Sequence, residues 1–551
     1  MSIPTEALLF VPLGGTGEIG MNLNVYGVGG TWLAVDMGVS FADDATPGLD
    51  AYMADPAFIA ERRDDLAGIV ITHGHEDHLG AIAHLWPRLR CPVYASPFAA
   101  ALLRGKLAEA NLLGEVDLHE IPLSGRAAIG PFEVELVGQT HSIPEANSLA
   151  IHTAFGTVLH TGDWKFDPDP LIGAVADKDR LKSLGDEGVL ALIGDSTNVF
   201  NPGRSGSEAE VRTSLTELLG RYRRRIAVAC FATNVARLES IAVAAAAHRR
   251  QVALCGRSLK RIDQAARATG YLADLPPFLS EEEGAAQPED RIVYICTGSQ
   301  GEPRAALARI AGQSHPRITL EAGDVTIFSS RVIPGNERAI YRLQNQLLRM
   351  GVEVVTSEDH FVHVSGHPGQ EEMRDYYALA RPALVVPVHG ELRHLHAHAE
   401  LARSCGVPET RVIENGDVLR LAPGPVEIVD QAPVGRVAVD GTRLLDMASE
   451  TLRDRQRMMF NGSAVVTVVL DKAGKLVGEP QISAQGLLDD GEEAEGREDV
   501  IEAVRAAIGG METKARKDDE IVRETVRIAA RRQLRKSHGK KPLTEVHLVR
   551  I

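Results

Sequence analysis

Ile69-Val-Ile-Thr-His73-Gly-His75-Glu-Asp77-His78-Leu-Gly80 carries an apolar strand straight into three histidines and an aspartate. Imidazoles and carboxylates are costly to crowd together unless a cation compensates them, and they form a ligand set suited to zinc. His73 and His75, at alternate positions, can point the same way from an extended turn, while Asp77 and His78 reach a second metal as the next helix begins. One site cannot use all four, so the segment predicts a metal centre at a strand end rather than a histidine satisfied in a core.

Further ligands are needed, and they stand at the ends of other apolar runs: His141 after 134–137, Asp163 after 157–160 and His389 after 383–388. Together these residues resemble the ligand set of the metallo-β-lactamase superfamily. That resemblance implies two sites, with His73, His75 and His141 on one metal, Asp77, His78 and His389 on the other, and Asp163 bridging. It implies two Zn2+ per subunit, with Mn2+ or Mg2+ as additional metals. Asp36, which closes the run 32–35, matches the superfamily's early aspartate that supports the ligand loop. It reads equally as a turn-forming residue before Gly38.

The 551 residues exceed what one hydrophobic core organises, so several domains are expected. Short apolar runs and Gly-rich turns at 7–12, 23–28, 32–35 and 68–71 predict a β-rich layer. Strand-like runs at 226–229, 252–254, 292–295 and 325–328, with helical stretches at 207–225 and 235–249, predict a parallel α/β insert. The Pro/Gly-rich stretch after 423 reads as a linker, and a last unit of strands and helices follows, with an acidic surface loop at 489–498. The expected division is 1–206, an insert at 207–355, a return segment at 356–423, a linker at 424–462 and a C-terminal domain at 463–551. The longest apolar runs, such as 241–247, are too short for a membrane span. The N-terminus lacks the order of a secretory signal, and five scattered cysteines without Cys-x-x-Cys suit free thiols, so a cytoplasmic protein is expected. A net charge of -16 argues against a polyanionic substrate, but a metal centre brings its own positive charge. Basic clusters at 221–225 and 514–541 are either nucleic-acid contacts or solvated helix faces.

The substrate class comes from a series of segments in fixed order. These are Leu13-Gly-Gly-Thr-Gly-Glu-Ile-Gly20, Gly194-Asp195-Ser-Thr-Asn198, Phe231-Ala-Thr-Asn234, Cys255-Gly-Arg-Ser258 and Cys296-Thr-Gly-Ser-Gln-Gly-Glu-Pro303. Phe328-Ser-Ser-Arg-Val-Ile-Pro-Gly-Asn-Glu337, His363-Val-Ser-Gly-His367 and Val388-His-Gly-Glu391 follow. The series resembles the ribonuclease J family over residues 13–391. The resemblance implies an α/β fold: a metallo-β-lactamase αββα sandwich with an inserted β-CASP α/β domain and a small C-terminal α/β domain. It also implies a zinc-dependent 5′-to-3′ exonuclease, and endonuclease, acting on single-stranded RNA such as mRNA and rRNA precursors, and a homodimer or homotetramer. Asp195 matches an acidic residue near the metals, His363 a proton donor and His389 a ligand. Met21 stands where the family often has lysine.

Two zinc ions would activate water near neutral pH and screen the scissile phosphate, and the leaving 3′-oxygen then needs a proton. His363 is the expected donor, with a loop-ordering role as its alternative. Ser365, Gly366 and His367 form a small polar loop able to hold a phosphate, preferentially a 5′-monophosphate. Ser329 and Ser330 face the same pocket or serve as ordinary turn residues, and Phe41 stacks on a base or packs in a core. The competing readings are a β-CASP nuclease restricted to DNA or to endonucleolytic cuts, and a non-catalytic RNA-binding scaffold.

Overall fold

Alternation fixes the first layer: Leu8 and Phe10 of the strand Leu8–Gly14 turn to one buried cluster while their neighbours turn away. The computed structural model describes residues 6–41, 46, 48–487 and 493–551. Leu8–Gly14, Leu23–Val28 and Thr31–Val35 pair antiparallel, and Leu66–Val70 joins Thr31–Val35 in parallel within an eight-stranded sheet. A seven-stranded sheet runs from Arg126–Ile129 to Glu409–Thr410. Leu8, Phe10, Leu33 and Val70 of the first meet Phe132, Leu149, Ile193 and Val386 of the second, so the sheets face one another. On the far side of the second sheet, Leu159, Leu192 and Val385 pack on Leu181, Tyr376 and Leu401 of Lys178–Glu187, Gln370–Ala380 and Leu392–Ser404. Pro97–Glu109 lies against Val93–Ala95 and Leu118–Glu120 of the first. The layers are helix, sheet, sheet, helix.

Between Val189–Asp195 and Leu384–Val388 the chain builds a separate layer, the parallel sheet Gln251–Cys255, Ile292–Cys296, Ile226–Ala229, Val325–Phe328, Glu353–Val355. Its strands are largely apolar because helices cover both faces. Leu215 and Leu238 lie on one side, from Glu208–Leu219 and Val235–Ala247, and Leu307 and Ile340 on the other, from Ala306–Ala311 and Glu337–Arg349. Ser207 and Glu210 start the first of these helices with a capping box. The strands flanking this insert are parallel neighbours, with Asp195 opposite Val388. The insertion therefore closes where Asp195 and His389 end adjacent strands.

The chain forms two compact units, Met1–Ser40 with Met53–Arg436, and Phe41–Tyr52 with Val437–Ile551. The linker expected at 424–462 is not irregular. Glu427–Gln431 pairs with Asp417–Ala422, Arg436–Asp440 and Arg443–Asp446 form a hairpin, and Glu450–Asn461 is a helix. These strands are short and stand among Pro423, Gly424, Pro425, Pro433 and Gly435, so the stretch reads as a loop while backbone pairing makes the structure. Within the second unit, Ser463–Leu470 lies between Gln481–Ser483 and Leu543–Arg550. Its Val466 and Val468 pack on Val500, Val522 and Val526 from the helices Glu493–Gly510 and Asp519–His538. Of the acidic loop, Asp489, Asp490 and Glu492 lie outside the described residues. Among those described, no helix is long and apolar enough to cross a membrane.

Candidate metal centre

Three parallel neighbours of the second sheet, Gly156–His160, Val189–Asp195 and Leu384–Val388, deliver Asp163, Asp195 and His389 at one edge. From the first sheet, Thr31–Val35 and Leu66–Val70 bring Asp36 and the histidine turn. Asp36 is fully buried with φ +63, and its carboxylate accepts from Thr72 N at 2.8 Å, from the Thr72 hydroxyl and from His78 Nδ1 at 2.7 Å. It thus serves both as a turn residue and as the acceptor that orients His78. Close backbone approach is required beside it: a Cβ at Gly38 would lie 1.7 Å from Asp77 O.

The ligand atoms converge in two groups sharing Asp163, His73–His75–His141–Asp163 and Asp77–His78–Asp163–His389. In the first, His73 Nε2 and His141 Nε2 each lie 3.0 Å from His75 Nδ1, and both lie 3.7 Å from Asp163 Oδ2. In the second, His78 Nε2 lies 3.2 Å from Asp163 Oδ2 and 3.6 Å from Asp77 Oδ2, and His389 Nε2 lies 3.7 Å from Asp77 Oδ2 and 3.5 Å from Asp163 Oδ1. Bonds of about 2.0–2.1 Å in a tetrahedral zinc site set ligand edges of roughly 3.3–3.4 Å, and these separations scatter about that value. The donor set fits zinc on a second count. Asp163 Oδ1 is buried without a hydrogen-bond partner, an orphan that a cation would satisfy.

The remaining ring nitrogens are already committed, which fixes the free lone pairs toward the centre. His78 Nδ1 donates to Asp36, His73 Nδ1 to the Thr72 hydroxyl, His141 Nδ1 to Gly366 O at 2.6 Å, and His389 Nδ1 to Asn22 Oδ1 at 3.0 Å. Asn22 also donates to Asp77 O. Burial and neighbouring imidazoles hold His73 and His141 well below the usual histidine range, and burial brings His75 down to about 4. At His78 burial is outweighed by Asp163, Asp77 and Asp36, which hold it well above that range. Met21, buried next to Asn22, adds no cation where the family often has one.

The loop after His363 is divided. His367 Nδ1 donates to Asp195 Oδ2 at 2.8 Å, and both join Asp163 and His389 in a third cluster of converging groups. Burial opposes charge on this ring, yet Asp195 and Asp163 hold its pKa up at about 9. His363 is brought to none of these clusters. Its Nδ1 is buried without a partner, and burial together with the charges of Arg237, Lys165 and Arg331 keeps it well below the ordinary range. The Ser365 hydroxyl accepts from His367 N, and Gly366 is pressed on His141, where a Cβ would lie 2.7 Å from Cε1. The Ser329 hydroxyl is consumed by Val362 O and Arg237, while Ser330 is buried beside it. Phe41 belongs to the second unit and is 72 % exposed, so it packs in no core. Sequence reasoning missed Asn22, Thr72 and the His367–Asp195 pair.

The chain matches the model of the ribonuclease J β-CASP domain at residues 223–347 and that of the ribonuclease J C-terminal domain at 450–551. It matches a β-lactamase superfamily domain at 31–180 and a Zn-dependent metallo-hydrolase RNA specificity domain at 351–411. It is 44 % identical over 551 residues to ribonuclease J of Sinorhizobium meliloti, covering 99 % of this chain and 98 % of that protein. The chain belongs to the ribonuclease J family. Other relatives are ribonuclease J of Thermus thermophilus, 35 % identical over 98 % of this chain and 95 % of that one, and ribonuclease J2 of Bacillus subtilis, 35 % identical over 88 % of each. As a member of the ribonuclease J family, with the metallo-β-lactamase domain, the β-CASP insertion and the C-terminal domain, the chain is a metal-dependent ribonuclease.

Proposed function

We propose that this ribonuclease holds two zinc ions and hydrolyses RNA from its 5′ end, favouring 5′-monophosphate termini, in RNA maturation and decay. The observation that carries the reading is Asp163, whose Oδ2 faces His73 and His141 of one cluster and His78 of the other. When bound, the zinc pair supplies a nucleophile from water near neutral pH and neutralises phosphate charge. Asp163 sets the spacing of the two clusters, and Asp36, Thr72, Asn22 and Gly366 keep the imidazoles aimed between them.

The leaving 3′-oxygen takes its proton from His367, in place of the His363 expected from sequence. Support comes from geometry: His367 is the histidine of that loop held by Asp195 beside Asp163 and His389. The Ser365 hydroxyl and the Gly366 N–H remain to receive a terminal phosphate. A terminal phosphate fixed there measures off one nucleotide and sets the next phosphodiester at the centre. A triphosphate is too bulky for such a pocket, and a 5′-hydroxyl leaves its donors unpaired at a cost of roughly 1–3 kcal/mol per buried group. Digestion of labelled RNA bearing 5′-monophosphate, 5′-triphosphate or 5′-hydroxyl ends, with DNA alongside, tests this. Mononucleotides released fastest from the monophosphate are expected. Equal rates on all three ends refute the preference, and internal fragments alone refute the exonuclease.

A further inference from the structure

Several arginines of the inserted layer are spent on carboxylates. Arg224 and Arg225 pair with Glu289, Glu321 and Asp324, and Arg237 is buried against Glu208. Arg331 differs. It is exposed, and among the described residues no carboxylate lies within ion-pair distance of it. Its backbone is pinned, because Gln300 Nε2 donates to Arg331 O at 2.8 Å and Gln300 Oε1 accepts from Ile333 N at 3.0 Å. Its side chain leads to the metal centre by a short chain of bonds. Arg331 Nη1 donates to Asn198 Oδ1 at 3.0 Å, Asn198 Nδ2 donates to His367 O at 3.3 Å, and the His367 ring is bonded to Asp195. One bond to a neutral amide leaves four of the five guanidinium N–H groups and the whole charge unspent.

We propose that Arg331 is an RNA-backbone contact, with Asn198 holding its guanidinium so that the remaining donors meet a phosphate next to the scissile one. The inference rests on the ribonuclease activity and adds a substrate-binding residue to it. The carboxylates of the centre already face imidazoles, Asp195 that of His367 and Asp163 those of His78 and His389, and Asn198 offers Arg331 only a neutral acceptor. In a chain of net charge -16, such a cation offsets repulsion at the place where the polyanion must enter. A single-stranded backbone fits, since the planar fork suits phosphate.

The test is the salt dependence of kcat/KM for a 5′-monophosphorylated single-stranded RNA, measured for wild type and for Arg331→Ala, Arg331→Gln and Arg331→Lys. Each phosphate neutralised on a single strand contributes about 0.7 to the slope of log affinity against log salt. Arg331→Ala and Arg331→Gln should flatten that slope by about 0.7, so their deficit relative to wild type shrinks about five-fold per decade of salt. Arg331→Lys should keep the wild-type slope. Zinc content and thermal melts equal to wild type establish that the fold is intact. An Arg331→Ala slope parallel to wild type overturns the proposal. So does an Arg331→Gln variant equal to wild type, which would leave Arg331 as only a hydrogen-bond donor to Asn198. Failure of the wild-type protein to cleave RNA would instead overturn the ribonuclease reading beneath it.

Discussion

Replacing Asp36 with Asn keeps shape and removes one acceptor. The carboxylate accepts Thr72 N–H and the Thr72 hydroxyl, and its Oδ2 accepts His78 Nδ1–H at 2.7 Å, all fully buried. Asparagine retains an oxygen for Thr72 but turns an N–H2 toward the ring. His78 then avoids a donor–donor clash only by moving its proton to Nε2, the nitrogen that faces Asp163 at 3.2 Å. A protonated Nε2 cannot ligate a metal. Loss of such a supporting partner costs about 10–100-fold in metal affinity or activity, which corresponds to about 1.4–2.7 kcal/mol. The effect should fall on the cluster of Asp77, His78 and His389, because no other ligand bonds Asp36 directly. Chelator-buffered zinc titrations should show half-saturation of RNA cleavage shifted upward by that factor. Zinc per chain at limiting free zinc should fall toward one, and excess zinc should restore most of the rate. Unchanged zinc dependence with an unchanged rate would refute the tautomer argument. Lost activity with both ions retained would show that Asp36 acts otherwise.

His75→Ala should abolish RNA cleavage while the circular-dichroism melt stays cooperative, because His75 meets two partner imidazoles and carries no fold contact of comparable weight. Full activity in that variant would remove the metal assignment. His367→Gln should lose about 10²–10⁴-fold in rate and recover on a substrate with sulfur at the bridging 3′ position, which leaves without protonation. Equal impairment on both substrates, with chemistry rate-limiting in wild type, would exclude the acid role, and the same pattern in His363→Ala would return it to His363. Gly366→Ala must displace the His141 ring, so zinc affinity should fall about ten-fold or more in the chelator assay. Glu208→Ala strands the buried Arg237 charge and should cost about 3–5 kcal/mol in urea unfolding, which the double change Glu208→Leu, Arg237→Met should largely recover. A single variant as stable as wild type would show that solvent reaches the pair.

The histidine turn was legible because its density has no cheap structural explanation, and the strand-end ligands because apolar runs end on them. The residues that orient the ligands were not. Asn22 and Thr72 are ordinary residue types whose roles exist only once remote strands bring His389 and Asp36 beside them. His363 and His367 stand four apart in a loop, and no helical or strand period says which one turns inward. The division between them follows from Asp195, which is distant in sequence and adjacent in space. The hairpin taken for part of a linker was hidden by the Pro and Gly before it.

That loop owes its shape to charges buried on both of its sides. Before it, Arg237 Nη1 and the Ser329 hydroxyl both donate to Val362 O, so the carbonyl preceding His363 is gripped by the inserted layer. After it, Glu372, itself fully buried, accepts from Gly369 N, from Ser205 N and its hydroxyl, and from Phe166 N. Unpaired buried groups of this kind are expensive, so each grip resists displacement. Between the grips, Gly366 O holds His141 and His367 holds Asp195, one contact into the first metal cluster and one into the strand end from which the insert departs. A shift of the inserted layer against the sheets must therefore pass into the ligand geometry through Val362. The insert is thus a mechanical part of the metal centre.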